Sequence, residues 1–287
     1  METDIVSSEK VRLIDVWAQP PLKQFMDRMP EIHRLVKLSG SSAILPGGVP
    51  IPELIDQMNE SGTDLVLLSA WCRPEGWVID NDEIAQICRD FPGKFKGLAT
   101  VNLSKPLEAV RELERAVKEH GFVGLRIVPW LWNLPPNDRL YFPLFVKCIE
   151  LGIPFCTQVG HTGPLMPSET GRPIPYIDEI ALLFPELKIV CGHLGYPWTD
   201  EMIAVAWKHE NVFIDTSAYK PNVYPRQILD FMKGFGRKKV MFGTNYPQLN
   251  HVECAKQLSK LDLPKVSLSY FAHKNAERVF GLSLSQQ

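Results

Sequence analysis

Eight short apolar segments, each followed by a stretch with helical periodicity, recur along this chain of 287 residues. The segments are continuously apolar rather than alternating, as expected of strands buried on both faces of a parallel sheet. They cover residues 12–16, 65–69, 96–101, 124–128, 154–159, 188–191, 211–214 and 239–242. This α/β pattern predicts a (β/α)8 TIM barrel, organised as a single domain over residues 1–287.

A doubly wound open sheet is the alternative arrangement of alternating strands and helices. That fold usually carries a glycine-rich phosphate-binding turn after an early strand, and the sequence contains no G-x-G-x-x-G and no G-x-x-x-x-G-K-S/T motif. The connection after the first strand, residues 20–51, is long. Long connections at this end of a barrel often form lids or substrate walls.

The composition limits the partners that the chain is expected to bind. The formal net charge is -2, and the basic residues are scattered, so nothing favours nucleic acid or an anionic membrane surface. The chain shows no apolar run long enough for a membrane span and no apolar core of a signal peptide. Its six cysteines form no C-x-x-C pair. We therefore expect a cytoplasmic protein with a small-molecule substrate, and a homodimer is left open.

Polar side chains follow three of the apolar segments at the point where each segment ends. His161 follows the fifth, His193 the sixth and Asn245 the eighth. Catalytic groups of parallel barrels lie at the carboxyl ends of the strands, so these residues are expected to share one site. Neutral imidazoles suit proton transfer near pH 7. Asn245 with Tyr246 could hold a developing oxyanion, although Asn245 could equally cap a turn.

Two charged residues associated with strands have competing interpretations. Arg126 lies inside the fourth apolar segment, where it could bind a substrate carboxylate or form a structural ion pair. Asp215 ends the seventh segment, where it could act as a base, orient His193, or cap a turn.

Further candidates surround the expected mouth of the site. Arg172 could clamp an anionic group or be a solvated loop residue, and Trp17 and Gln19 could line the pocket floor or fill the core. Five tryptophans fall near expected strand-end loops and predict an apolar or aromatic-binding mouth. They are Trp71, Trp77, Trp130, Trp132 and Trp198. Two or three of them are expected to have only packing roles.

The ordered strand-end motifs resemble those of the amidohydrolase superfamily, in its amidohydrolase-2 branch. The motifs are LIDVWAQ (13–19), GHTG (160–163), GHLGYPW (192–198), FGTNYP (242–247) and KNAERVFGL (274–282). The resemblance spans essentially the whole chain and implies an amidohydrolase-like (β/α)8 barrel. The branch includes aminocarboxymuconate-semialdehyde decarboxylase, resorcylate-type decarboxylases, a hydratase and a lactonase.

The family pattern implies a divalent metal held by a His-x-His pair after strand one, one His after each of strands five and six, and an Asp after strand eight. His161 and His193 match the strand-five and strand-six ligands. The other three positions hold Trp17, Gln19 and Asn245. An indole N–H is only a donor, and amide oxygens suit zinc poorly. We therefore expect a metal-poor subgroup without a cofactor; the alternative is zinc or another divalent metal on His161 and His193.

The resemblance and these departures together predict a hydrolase. It would act on a C–C, acyl, thioester or lactone bond of a small carboxylated or aromatic substrate. His161 and His193 would transfer protons, with Asp215 as an additional catalytic candidate, and Trp17, Gln19, Arg126, Arg172, Trp198 and Tyr246 would bind the substrate. Two alternatives remain open: a non-oxidative decarboxylase of the same family, and a non-catalytic binding protein on a barrel scaffold.

Overall fold

The protein, described by a computed structural model over residues 12–282, contains an eight-stranded parallel sheet. Along the sheet, the strand order is β1-β2-β5-β6-β7-β8-β9-β10. Apart from Asp64 in β2 and Lys96 in β5, these strands are buried on both faces, which explains their continuous apolar sequences. The strands are β1 (Leu13–Ala18), β2 (Thr63–Ser69), β5 (Phe95–Ala99), β6 (Gly124–Ile127), β7 (Phe155–Gln158), β8 (Ile189–Gly192), β9 (Val212–Asp215) and β10 (Val240–Met241).

Backbone hydrogen bonds between β1 and the segment after β10 close the sheet. The Val16 N–H donates to the Phe242 carbonyl (3.1 Å), and the Asn245 N–H donates to the Trp17 carbonyl (2.8 Å). The Gln19 N–H donates to the carbonyl of Tyr246 (2.9 Å). The predicted (β/α)8 barrel is confirmed, and its closure brings the ends of the first and last strands into contact.

The helices surround the barrel and complete the β-then-α repeat. The long helix α5, for example, buries the apolar stripe of Ala109, Leu113 and Ala116. They are α1 (Lys23–Arg28), α2 (His33–Leu38), α3 (Ile51–Ser61), α4 (Asn81–Asp90), α5 (Pro106–His120), α6 (Pro129–Trp132), α7 (Phe142–Leu151), α8 (Asp178–Leu183), α9 (Thr199–Lys208), α10 (Arg226–Lys233), α11 (His251–Leu258), α12 (Lys265–Ser269) and α13 (Asn275–Phe280).

Two helix boundaries show how local sequence sets the elements. Asp80 and Glu83 form a reciprocal capping box that starts α4. At α9 the cap position is Trp198, and Thr199 is the first helical residue, buried with its hydroxyl unpaired among the described residues. Asp200 and Glu201 in the first turn still complement the helix dipole.

The apolar core has two layers. One fills the barrel interior with residues from successive strands, including Leu67, Leu98, Val190 and Phe213. Phe280 of α13 packs against this layer and covers the end of the barrel away from the strand termini. Each such side chain stabilises the fold by about 1.5–3 kcal/mol through burial. The second, larger layer lies between the strands and the helices.

Two parts of the fold differ from a simple repeat. A short antiparallel hairpin, β3 (Trp71–Arg73) and β4 (Gly76–Ile79), follows β2 and carries Trp71 toward the barrel mouth. The long connection after β1 folds into α1, α2 and short 3₁₀ turns. These insertions build walls at the carboxyl ends of the strands. Within residues 12–282, no helix combines the length and the apolar character needed to cross a membrane.

Candidate active site

A cavity of about 220 Å³ opens at the carboxyl ends of the barrel strands. One wall comes from the long connection after β1, through Ile32, Leu35 and Val36. The floor and sides carry polar groups from strand ends and the loops after them. These are Gln19, Gln158, His161, His193, Asn245 and Gln248. A mostly apolar cleft with a few convergent polar groups is the usual form of a small-molecule site.

Three tryptophans give the cavity aromatic walls: Trp17, Trp71 and Trp130. Trp17 fits because residue 192 is a glycine; a Cβ there would lie 2.8 Å from Cζ3 of the indole. The ring of Trp71 meets that of Trp130 edge-on, with centroids 6.3 Å apart. The indole N–H of Trp71 is buried and has no hydrogen-bond partner among the described residues. The cavity therefore offers planar apolar walls, and an unpaired indole N–H is buried within them.

Arg126 of β6 lies beside the cavity floor, with 1% of its surface exposed. Its Nη2 donates to Oε1 of Gln19 (2.8 Å), and its Cζ lies 4.5 Å from the ring centroid of Trp17 and 5.6 Å from that of Trp71. Nε and Nη1 have no partner within residues 12–282. Burial lowers the pKa of Arg126 to about 9. At neutral pH a buried positive charge therefore lies behind the residues that line the floor, and two of its nitrogen atoms are unpaired.

A directional chain of amides runs from Arg126 across the cavity floor. Gln19 Nε2 donates to Oδ1 of Asn245 (2.8 Å), and Asn245 Nδ2 donates to Oε1 of Gln248 (2.7 Å). Asn245 has a left-handed backbone with φ of 60°, a conformation that asparagine tolerates better than most residues. The amide oxygens of Gln19 and Asn245 are thus already used as acceptors.

His193 follows β8 and presents its ring to the cavity. Its Nδ1 lies 2.7 Å from Oγ of Ser217, and its ring meets the Trp17 indole edge-on at 5.1 Å. Burial, followed by repulsion from Arg126, lowers the pKa of His193 from 6.5 to about 3. The imidazole is therefore neutral at physiological pH, and Nε2 is the ring nitrogen left free of Ser217.

Asp215, at the end of β9, lies behind Ser217. Its Oδ1 accepts the Ser217 N–H (2.8 Å), and its Oδ2 lies 2.8 Å from Ser217 Oγ. Both residues are fully buried. Burial raises the pKa of Asp215 from 3.8 to about 8, although its hydrogen bonds with Ser217 act in the opposite direction. The carboxyl reaches the cavity only through Ser217 and His193.

His161 lies at the mouth, on the exposed side of the cavity. Its Nδ1 is 3.3 Å from the Tyr196 carbonyl oxygen and 3.5 Å from the Tyr219 hydroxyl. The predicted grouping of His161, His193 and Asn245 therefore exists as a shared lining of one cavity. The two histidines differ in environment, one exposed and the other enclosed.

Three predicted substrate-binding residues lie elsewhere. Arg172 pairs with Glu201 (3.0 Å) and stacks on Trp198, with its Cζ 5.0 Å from the ring centroid. Tyr246 is buried against the ring of His251, with centroids 4.9 Å apart. None of the predicted three, Arg172, Trp198 and Tyr246, lines the cavity. The oxyanion role expected of Tyr246 therefore does not fit its position, because the chain turns its ring outward from the barrel mouth.

Several residues of the site were not singled out by the sequence. Gln158 ends β7 and donates to the His161 carbonyl (2.9 Å). Ser217, Tyr219 and Gln248 lie in loops after the strand ends. The polar Gln158 at the end of an apolar run was an available signal. The loop positions carried none, because their approach to the cavity depends on the closed barrel.

A protein-held metal ion needs several ligating side chains close together. Residues 12–282 hold no group of three or more His, Cys, Asp or Glu side chains that could hold a metal ion. His161 and His193 are the imidazoles at the cavity, and Gln19 and Asn245 already use their oxygens as acceptors. The nearby Arg126 charge also repels a cation. The side chains therefore do not form a complete ligand set by themselves.

The fold and the cavity define a barrel protein with a small-molecule site at the carboxyl ends of its strands. The chain belongs to the amidohydrolase family, whose model matches residues 70–282. It is 25% identical over 254 residues to a gamma-resorcylate decarboxylase of Rhodococcus jostii, covering 70% of this chain and 75% of that protein. This places it in the amidohydrolase-2 branch that the motifs indicated.

Solved structures show the same fold. An uncharacterized TIM-barrel protein from Bordetella bronchiseptica superimposes with a TM-score of 0.82 at 21% identity, covering 94% of this chain and 98% of that one. A dihydroxybenzoic acid decarboxylase from Polaromonas sp., with bound manganese and 2-nitroresorcinol, gives a TM-score of 0.73 at 20% identity, covering 96% and 98%.

Two expectations from the sequence are wrong by these comparisons. The hydrolase is contradicted because relatives and structural neighbours include several decarboxylases, which favours the decarboxylase alternative. The absence of a cofactor is contradicted because neighbours of this family were solved with manganese. Both errors came from weighing the replaced ligand positions, Trp17, Gln19 and Asn245, above the family's common chemistry.

Proposed function

We propose that the protein is a non-oxidative decarboxylase of a small hydroxylated aromatic carboxylic acid. The observation that carries the proposal is the buried, incompletely hydrogen-bonded Arg126 beside an aromatic-walled cavity that also presents a neutral His193. The named substrates of the relatives, resorcylate and dihydroxybenzoate, are acids of this class. A substrate of this class matches both the planar walls and the positive floor.

The walls select a planar ring. Trp17, Trp71 and Trp130 supply apolar faces at the cavity, against which an aromatic ring can stack or pack edge-on. A saturated or highly charged substrate would leave these walls poorly covered.

The Arg126 charge attracts a carboxylate to the floor. Its guanidinium contacts the rings of Trp17 and Trp71, and no carboxylate among the described residues forms an ion pair with it. In a poorly solvated site such a charge acts more strongly than it would in water. The apolar walls then favour the loss of carbon dioxide, because a charged group becomes a neutral product.

Decarboxylation requires a proton at the ring carbon that loses the carboxylate. His193 faces the cavity and is positioned to transfer that proton through Nε2. Protonation of the carbon interrupts ring aromaticity. Cleavage of the C–C bond then returns its electron pair to the ring and releases carbon dioxide. The balance is one proton consumed for each carboxylate lost.

A divalent metal, as in the manganese-bound neighbours, would supply a positive charge to orient the substrate's oxygens. In this cavity it would meet His161 and His193 without a third His, Cys, Asp or Glu ligand among residues 12–282. The residues present do not fit a fully protein-held metal. The steps above are therefore assigned to the chain's own groups, and added manganese belongs in the test.

The proposal is tested by carbon dioxide release from 2,6-dihydroxybenzoate and 5-carboxyvanillate, with and without added Mn²⁺. We expect stoichiometric carbon dioxide and the matching decarboxylated phenol from at least one acid. His193→Gln should slow release about 10³-fold, whereas Arg172→Gln, outside the cavity, serves as the matched control and should retain it. Absence of carbon dioxide from both acids under both metal conditions would overturn the assignment.

The cellular setting and the assembly state stay predictions. The sequence predicts a cytoplasmic protein and leaves a homodimer open, and the single-domain organisation over 1–287 is likewise a prediction. Size-exclusion chromatography with light scattering measures the assembly directly.

A further inference from the structure

Ser217 connects a buried carboxyl to the histidine at the cavity. Its Oγ lies 2.8 Å from Asp215 Oδ2 on one side and 2.7 Å from His193 Nδ1 on the other. A hydroxyl carries a single proton, so Ser217 can donate in only one of these two hydrogen bonds and must accept in the other. The direction of one bond therefore fixes the direction of the other.

Two proton arrangements satisfy all three groups. When Asp215 is ionised it can only accept, so Ser217 donates to it and accepts from the N–H of His193 Nδ1; Nε2 then carries a lone pair. When Asp215 is protonated it donates to Ser217, which donates to Nδ1; a neutral ring then carries its proton on Nε2. The cavity meets an acceptor in the first state and a donor in the second.

We propose that Asp215 and Ser217 are positioning residues that determine which ring nitrogen of His193 carries the proton, and hence whether the cavity meets an acceptor or a donor. The proposal deepens the decarboxylase assignment and rests on it for its catalytic meaning. The hydrogen-bond geometry itself does not depend on the substrate.

Three features hold this arrangement in place. Asp215 and Ser217 are fully buried, which excludes bulk water as a competing partner. Residue 243 is a glycine, and a Cβ there would lie 2.2 Å from Asp215 Oδ1, so the carboxyl occupies space that only glycine leaves open. His193 has a left-handed backbone, with φ of 72°, which directs its ring from the strand end.

The surroundings of Asp215 set its protonation. Burial raises its pKa to about 8, while that of His193 is lowered to about 3. The charged and titratable groups that act on Asp215 from the neighbouring strands and loops are Arg126, Asp15, Cys156, Cys191 and Tyr224. Between these two pKa values His193 stays neutral and Asp215 keeps its proton. The donor state is therefore expected at neutral pH.

The donor state balances the decarboxylation without an imidazolium ion. His193 gives the Nε2 proton to the ring carbon, Nδ1 takes the Ser217 proton, and Ser217 takes the Asp215 proton. The C–C bond breaks, its electrons remain in the ring, and Asp215 is left as the carboxylate. Solvent protons arriving through the emptied cavity restore Asp215 by the reverse route. The chain's net change per turnover is zero.

The test is ¹⁵N NMR of the protein with labelled histidine, recorded from pH 5 to 9.5. Protonated and unprotonated ring nitrogens have well-separated ¹⁵N shifts, and His193→Gln identifies the His193 signals among seven histidines. We expect the neutral ring of wild-type protein to change from Nε2–H to Nδ1–H as pH rises through about 8. An imidazolium within this range, or a tautomer that does not change, would overturn the proposal.

Two variants separate positioning from general structural damage. In Asp215→Asn the amide can donate to Ser217 at every pH, so the Nε2–H form should persist to pH 9.5. Ser217→Ala breaks the connection and should remove the pH response, whereas Ser217→Thr retains a hydroxyl and should restore it. Should Ser217→Ala fail to fold, the wild type and Asp215→Asn spectra decide alone, because identical pH responses in the two would contradict the mechanism.

Activity gives an independent readout with 2,6-dihydroxybenzoate as the probe. Asp215→Asn should lower kcat about 100-fold with KM unchanged, because proton supply is lost while the binding walls are intact. A pH-dependent tautomer without carbon dioxide release would leave the positioning intact and reject the decarboxylase. Carbon dioxide release with a tautomer that does not change with pH would support the decarboxylase and reject the positioning role of Asp215 and Ser217.

Discussion

Two buried carboxylates at the barrel mouth, Asp15 on β1 and Asp215 on β9, are in contrasting environments. Asp15 accepts hydrogen bonds from the Trp17 N–H (3.0 Å), from the N–H and hydroxyl of Thr244, and from His251 Nε2 (2.9 Å). Within residues 12–282, the Asp215 carboxyl accepts hydrogen bonds only from the two groups of Ser217. Equal burial therefore leaves one carboxylate saturated with donors and the other with few.

The difference in hydrogen bonding indicates a structural role for Asp15 and a chemical role for Asp215. The Asp15 cluster joins the first strand to the segment after the last one and to α11, which fixes barrel closure. Among the described residues, the Asp215 side chain is hydrogen-bonded to Ser217 alone, which in turn contacts His193 at the cavity. A buried carboxyl that accepts few hydrogen bonds gains or loses its proton more easily, which makes it suitable for proton transfer. The predictions below test this contrast.

The largest effect is expected at the cavity end of the Asp215 chain. His193→Gln removes the group that transfers the proton and should lower kcat for decarboxylation by about 10³-fold, within the range of general acid–base catalysis. Thermal unfolding should change little by comparison. Steady-state kinetics and circular dichroism measure the two, and unchanged turnover would reject His193 as the transferring group.

The second-largest effect on activity is expected from removing the positive charge of Arg126 beside the cavity floor. Arg126→Met should lower kcat/KM by about 100-fold, or ~3 kcal/mol, because the substrate carboxylate loses its buried partner. Arg126→Lys keeps a charge without the planar fork and should recover part of the loss. Equal activity of the Met and Lys variants would show that the charge is not what binds the substrate.

The two carboxylates should respond oppositely to the same change. Asp15→Asn leaves donors facing an amide N–H and should lower the free energy of unfolding by about 2–3 kcal/mol. Asp215→Asn at pH 6 replaces a protonated carboxyl with a neutral group of similar shape and should cost under about 1 kcal/mol. Denaturant unfolding measures both, and equal losses would remove the distinction.

The last effect is the pH dependence of the free energy of unfolding. The folded state holds the Asp215 proton up to about pH 8, whereas the unfolded chain releases it near 4, so folding stability from this group falls as pH rises from about 4 to 8. His193 acts oppositely below pH 6.5, because its folded pKa is lowered. Subtracting the profile of Asp215→Asn isolates the Asp215 slope. A flat difference between pH 5 and 8 would contradict the raised pKa.

The periodicity of apolar residues in the sequence was sufficient to predict the barrel fold. Continuous apolar segments such as those ending at Val128 and Phe242 mark buried parallel strands, and eight of them leave few topologies. The strand-end rule also placed His161, His193 and Asn245 at one cavity, since it depends only on strand direction.

The directions in which side chains point in the loops after the strands could not be predicted from the sequence. Tyr246 follows Asn245 directly, yet it turns to His251 because the loop reverses there. Arg172 found Glu201, a partner 29 residues away. The role of Ser217 depends on the pairing of β8 with β9, which brings its Oγ within 2.7 Å of His193 Nδ1. Such contacts depend on tertiary positions that periodicity does not encode.

The most direct test of the account is turnover of 2,6-dihydroxybenzoate in D₂O with Mn²⁺ present and absent, followed by mass spectrometry and NMR of the products. The account predicts one carbon dioxide per acid consumed and one deuteron at the carbon that carried the carboxylate, with both lost in His193→Gln. Consumption of the acid without carbon dioxide, or a product deuterated elsewhere on the ring, would contradict proton transfer from His193 to that carbon.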